Sequence, residues 1–98
     1  MYLVHVYLAP HPAGTALPMD VAALVTGAAA RAPEILHVAV HPADGPGPVI
    51  GVYLRSAAPE LAESAARVAW WSAVDEWPRL GEWSLLRASV SLAPDSAG

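Results

Sequence analysis

The chain contains no cysteine, lysine, asparagine, glutamine or phenylalanine. Without cysteine it has no disulfide, no thiolate nucleophile, no zinc knuckle and no iron–sulfur ligand. Without lysine it can form no Schiff base, and a Walker A loop would lack its phosphate-reaching ammonium. Lys, Asn and Phe are spelled by AT-rich codons, whereas the abundant Ala, Gly, Pro and Arg use GC-rich ones, so the bias reads as that of a high-GC bacterial genome. Positive charge is scarce too: five Arg oppose nine Asp plus Glu, for a net charge of −4. That balance repels a phosphate backbone and no Arg cluster offsets it, so nucleic acid is not an expected partner. Long apolar runs are missing. The stretch from Met1 to Leu8 is interrupted by His5, lacks a basic flank and is too short to span a bilayer, and Ala9-Pro10-His11-Pro12 makes a poor cleavage site. The expectation is a soluble, cytoplasmic protein with no membrane partner. Neither G-x-S-x-G nor G-x-G-x-x-G occurs, which leaves no nucleophile elbow and no dinucleotide fingerprint.

What is present amounts to one small domain, residues 1–98, with a core over 2–92 and a frayed tail over 93–98. A mass of 10.2 kDa implies burial of roughly 64% of the extended chain's surface, enough for one modest core. Apolar residues make up 55% of the chain, but 21 of them are alanines, so the larger ones must do most of the packing. Residues 2–9 alternate as a strand, with Tyr2, Val4, Val6 and Leu8 on one face and Leu3, His5 and Tyr7 on the other. Pro10 and Pro12 end it. Pro18 and Asp20 suit a helix start, and Val21, Leu24, Val25 and Ala28 form a stripe that fades by Pro33. Residues 34–41 and 49–55 read as strands around a turn-rich segment, with Leu36, Val38 and Val40, then Ile50, Val52 and Leu54, inward. A second helix is expected from Pro59 to about Trp77, stopped by Pro78, with Leu61, Ala65, Val68 and Ser72 inward and Trp71 at the margin. Residues 83–92 form the last strand, with Leu86, Ala88, Val90 and Leu92 inward.

The order β-α-β-β-α-β is the split βαβ, ferredoxin-like α+β arrangement. Right-handed crossovers and short connections give an antiparallel sheet of order 4-1-3-2 with both helices on one face. The uncovered face then carries His5, Tyr7, His37, Ala39, His41, Val49, Gly51, Tyr53 and Arg55, with Trp83, Leu85, Arg87, Ser89 and Ser91 from the last strand. Such a surface is more aromatic than a monomer usually leaves in water. Burial against a second copy, enclosure of a ligand cavity, and capture of a protein or peptide partner are the three ways to use it. In topology over the whole chain, though not in any residue motif, the sequence resembles the dimeric α+β-barrel proteins, including the antibiotic-biosynthesis-monooxygenase type. The resemblance implies a homodimer and, in several members, oxidation or cyclisation of aromatic substrates without bound metal or flavin. Their sites typically use Trp, Asn, His or Tyr, and Asn is absent here.

The remaining candidates weigh less. His37 and His41 share a strand face but lie about 13 Å apart, too far for one metal ion. His11-Pro12 and His41-Pro42 fall at one end of the sheet with Glu82 and Trp83, a grouping suited to acid–base work or simply to ending strands. Glu60, Glu63, Asp75 and Glu76 read as a solvated helix face. All four tryptophans fall between residues 70 and 83, and Trp70, Val74 and Trp77 are expected to form an outer apolar stripe on the second helix, suited to an interface. Tyr7 and Tyr53 match the aromatic positions of RNA-recognition sheets, but residues 49–56 lack that family's basic, double-aromatic pattern. The expected function is therefore non-catalytic binding or accessory work, in a bacterial biosynthetic pathway and without a cofactor. An aromatic sheet face or the Trp70/Trp77 stripe would hold a partner, peptide or small molecule. The alternative is a cofactor-free dimeric enzyme for a small aromatic substrate, its pocket built from His5, Tyr7, Tyr53, Arg55 and Trp83.

Overall fold

A computed structural model describes residues 1–18, 20–28, 34–41 and 47–92. Their elements run β1 (Tyr2–Leu8), α1 (Val21–Ala28), β2 (Ile35–His41), β3 (Val49–Leu54), α2 (Pro59–Glu76), a 3-10 helix (Pro78–Glu82) and β4 (Leu85–Leu92). The four strands pair antiparallel in the order β2-β3-β1-β4, which read from the other edge runs 4-1-3-2. β1 and β3 are therefore central. Their even-numbered residues Val4, Val6, Leu8, Ile50, Val52 and Leu54 are buried in one cluster with Val21 and Val25 of α1 and with α2. Two layers enclose one core, as a sheet apolar on one face requires. The expected tail, 93–98, lies outside the described residues, as do Pro33 and the segment 42–46.

α2 presents a different face from the one its larger apolar residues suggest. Ala62, Ala66, Ala69, Trp70 and Ala73 are buried, while Leu61, Val68 and Trp71 are 58%, 59% and 51% exposed. Apolar and charged residues are interleaved around the helix, so its period alone does not choose a side. Alanines at i, i+4, i+7 and i+11 let the helix backbone approach the sheet closely, and one large ring then fills the remaining space. Trp70 is that ring, at 1% exposure. It does not stand on an outer stripe with Val74 and Trp77: Val74 packs partly buried against the core, and Trp77 is the C-terminal cap residue, 46% exposed.

Bulges correct the two edge strands. In β4 the register steps so that Leu8 faces Leu85 and Tyr7 faces Arg87, which leaves Leu86 as the extra residue, 62% exposed. Leu85, expected on the open face, packs against the core instead. In β2 the step falls between Ile35 and His37, so Ile35 packs inward and Leu36 is 43% exposed. A bulge reverses the alternation beyond it, and Ile-Leu and Leu-Leu pairs disguise it, because either member suits a core. A second step in β4 pairs Leu92 with Leu3.

The β4 edge is closed from above. Glu63 of α2 reaches down and accepts the Val90 backbone N–H at 2.9 Å, a partly buried contact that removes one unpaired donor from an edge strand. Glu63→Ala is expected to cost about 1–2 kcal/mol by urea denaturation and Glu63→Gln, which keeps an acceptor, clearly less. Equal losses would mean that the carboxylate acts through charge alone.

Candidate binding face

Strand pairing arranges the uncovered side of the sheet in rows. One runs His41, Val49, Tyr7, Arg87 across the four strands; the next runs Ala39, Gly51, His5, Ser89; the third runs His37, Tyr53, Leu3, Leu92. Strands are about 4.8 Å apart and alternate residues about 6.8 Å apart, so the three rows make a patch roughly 14 Å square. His41 and Leu92 are placed by their backbones; their side chains lie outside what is described.

The side chains of this patch touch one another. The Arg87 guanidinium lies over the Tyr7 ring, 4.4 Å from its centroid, and the His5 ring meets Tyr7 edge-on at 6.1 Å. Across the patch, His37 and Tyr53 approach to 5.9 Å at 43°. Both tyrosines and His5 are half-buried, and Gly51 between the two groups is buried. The result is two groups of rings, with Tyr7 and Tyr53 on either side of a row in which His5 of the first group stands among the small residues Ala39, Gly51 and Ser89. Arg55 follows the last residue of β3 and is exposed, its N–H donating to the Glu34 carbonyl at 2.8 Å.

Trp83 is not part of this face. It precedes β4 and is 5% exposed within the core cluster, its ring 4.8 Å from that of His11. The Pro78–Glu82 helix carries the chain over the core edge there and turns Trp83 inward, its N–H donating to the Leu80 carbonyl at 3.1 Å. The grouping of His11 with Glu82 and Trp83 is real. His11 Nε2 lies 2.6 Å from Glu82 Oε1, and Nδ1 accepts the Ala13 N–H at 3.0 Å. Because Nδ1 accepts, the neutral ring carries its proton on Nε2 and donates it to the carboxylate. Both nitrogens are thus engaged, and the arrangement is a clip joining the β1–α1 loop to the start of β4 rather than a base awaiting a substrate. Residues 71 positions apart meet here, and only the shared sheet end foretold it.

Among the described residues no cluster of three or more His, Asp or Glu side chains could hold a metal ion, and no helix is long and apolar enough to cross a membrane. The chain was compared with protein-family models, with curated proteins and with solved structures. None matches. The functional reading therefore rests on the geometry of the face itself.

Proposed function

We propose that this protein is a binding or accessory domain of ferredoxin-like βαββαβ topology, and that its working surface is the open sheet face, which takes a planar conjugated ligand across the row between Tyr7 and Tyr53. The observation that carries this reading is the pair of ring groups, Arg87–Tyr7–His5 and His37–Tyr53, with Tyr7 and Tyr53 two rows, about 14 Å, apart along the strands and the Ala39–Gly51–His5–Ser89 row between them. A fused bicyclic ring fits that interval and stacks on either group. Aromatic contacts of this kind contribute about 0.5–1.5 kcal/mol each beyond the area they bury. The His11–Glu82 pair, at the edge of this face, has both ring nitrogens occupied and so offers no free base.

The test uses 2-naphthamide, a neutral planar probe, titrated into ¹⁵N-labelled protein. Shifts are expected at the amides of His5, Gly51, Tyr53 and Ser89, and Tyr53→Ala should weaken binding about two- to tenfold. Shifts clustered instead on Leu61, Val68 and Trp71 of α2, or no binding at all, would overturn the proposal. A homodimer closed back to back through the same face is the second reading, favoured by its apolar content in Leu3, Val49, Tyr7 and Tyr53. Light scattering decides it: a dimer has about twice the 10.2 kDa chain mass and covers the four probe amides.

A further inference from the structure

We infer that the ligand of this face is an anion, a planar ring system bearing a carboxylate or similar group that Arg87 receives at the β1–β4 end; this rests on the proposed function above. The chain as a whole is acidic at −4, yet no described carboxylate stands in the rows of this face, and the one at its end of the sheet, Glu82, is already engaged. Glu60, Glu63, Asp75 and Glu76 belong to α2, Asp20 precedes α1, and Glu82 is engaged by His11. Glu34 is held at the opposite end of the sheet, beside Arg55. The row of Tyr7 and Arg87 and the row of His5 and Ser89 contain no acid at all. Arg87 is exposed there, and among the described residues no carboxylate pairs with it and no side-chain hydrogen bond uses it.

What distinguishes Arg87 from the exposed Arg55 and Arg79 is that its guanidinium is already stacked on a ring. A guanidinium held over a ring by its centre keeps N–H donors free to form two parallel hydrogen bonds to a carboxylate. A fixed fork loses less freedom on binding than a mobile one. The ligand's ring would then lie over the Ala39–Gly51–His5–Ser89 row, with its charge toward Arg87.

The experiment compares 2-naphthoate with 2-naphthamide, which differ in charge at one substituent and little in shape. Naphthoate is expected to bind roughly tenfold tighter. Arg87→Gln should erase that advantage, so that the variant binds the two probes equally. Arg79→Gln removes the same unit of charge from the 3-10 helix and should preserve the advantage. Equal affinities of the two probes for the native protein, with shifts on the face, would overturn the anion assignment and leave the binding face standing. An advantage lost equally in Arg79→Gln would overturn it as well, since net charge would then suffice. Failure of both probes to shift the face would overturn the binding reading itself. Retained far-ultraviolet circular dichroism in Arg87→Gln excludes misfolding as the cause of any loss.

Discussion

Trp70→Ala is expected to lower the stability of the domain by about 3–5 kcal/mol, the range for removing a buried aromatic side chain. Trp70 is 1% exposed and is the largest fully buried side chain among the described residues. Its neighbours on the inner face of α2 are alanines, which cannot extend to fill the space it would leave. A domain of this size holds only about 5–15 kcal/mol in total, so the variant should melt well over ten degrees lower. Trp70→Phe provides the contrast. The indole Nε1–H is buried and finds no acceptor among the described residues, a condition that costs about 1–3 kcal/mol. Phenylalanine gives up some packing but removes that donor, and the net change should lie within about 1 kcal/mol of zero. Thermal and urea unfolding followed by circular dichroism measure both. A loss below about 1 kcal/mol for Trp70→Ala would turn α2 over, with Trp70 in solvent and Leu61, Val68 and Trp71 inside.

Gly47→Ala should be the other severe substitution. Gly47 precedes β3 where Pro48 O accepts the Leu8 N–H at 3.0 Å. A Cβ at position 47 would collide with the carbonyl oxygen of Leu8 and press on the Ala9 carbonyl carbon. These are backbone atoms of the neighbouring strand and cannot swing aside, so the end of the β1–β3 pairing must open. The expected cost is about 3 kcal/mol, the upper end for overpacking, together with faster hydrogen exchange at the Leu8 amide. Gly27→Ala in α1 has the opposite sign. Nothing lies within 4 Å of a Cβ there, and alanine is favoured over glycine in a helix by about 0.8–1 kcal/mol. If the two variants had equal effects on melting temperature, close approach at Gly47 would not be the reason for its glycine.

These contrasts mark where the fold was legible in the sequence. Alternation in β1 and β3 is unambiguous because their even residues from Val4 to Leu8 and from Ile50 to Leu54 are aliphatic and their odd residues include His5, Tyr7, Gly51 and Tyr53. That period placed His5, Tyr7 and Tyr53 on one face, and the odd residues of β2 and β4 added His37 and Arg87. The bulges at Leu36 and Leu86 were not legible, since a bulge leaves no mark when both residues could serve the core. Nor was the buried face of α2. Weighting by side-chain size selects Leu61 and Val68, whereas close packing on a sheet selects small residues plus one ring. Trp83 was misplaced for a related reason: the 3-10 helix that turns it inward lies between two breakers, Pro78 and Gly81, and its direction depends on tertiary contact.

The central position of β1 also governs the order in which the molecule can assemble. This strand leaves the ribosome early, yet both its partners come late: β3 begins at Val49 and β4 at Leu85. Until they emerge, Val4, Val6 and Leu8 have no sheet neighbour and their backbone groups no ladder. No early fragment can therefore close the core, and loop-closure entropy must be met before the long-range pairings repay it. Productive folding waits for β4, and a nascent chain paused before β3 is a chain with its future central strand unprotected.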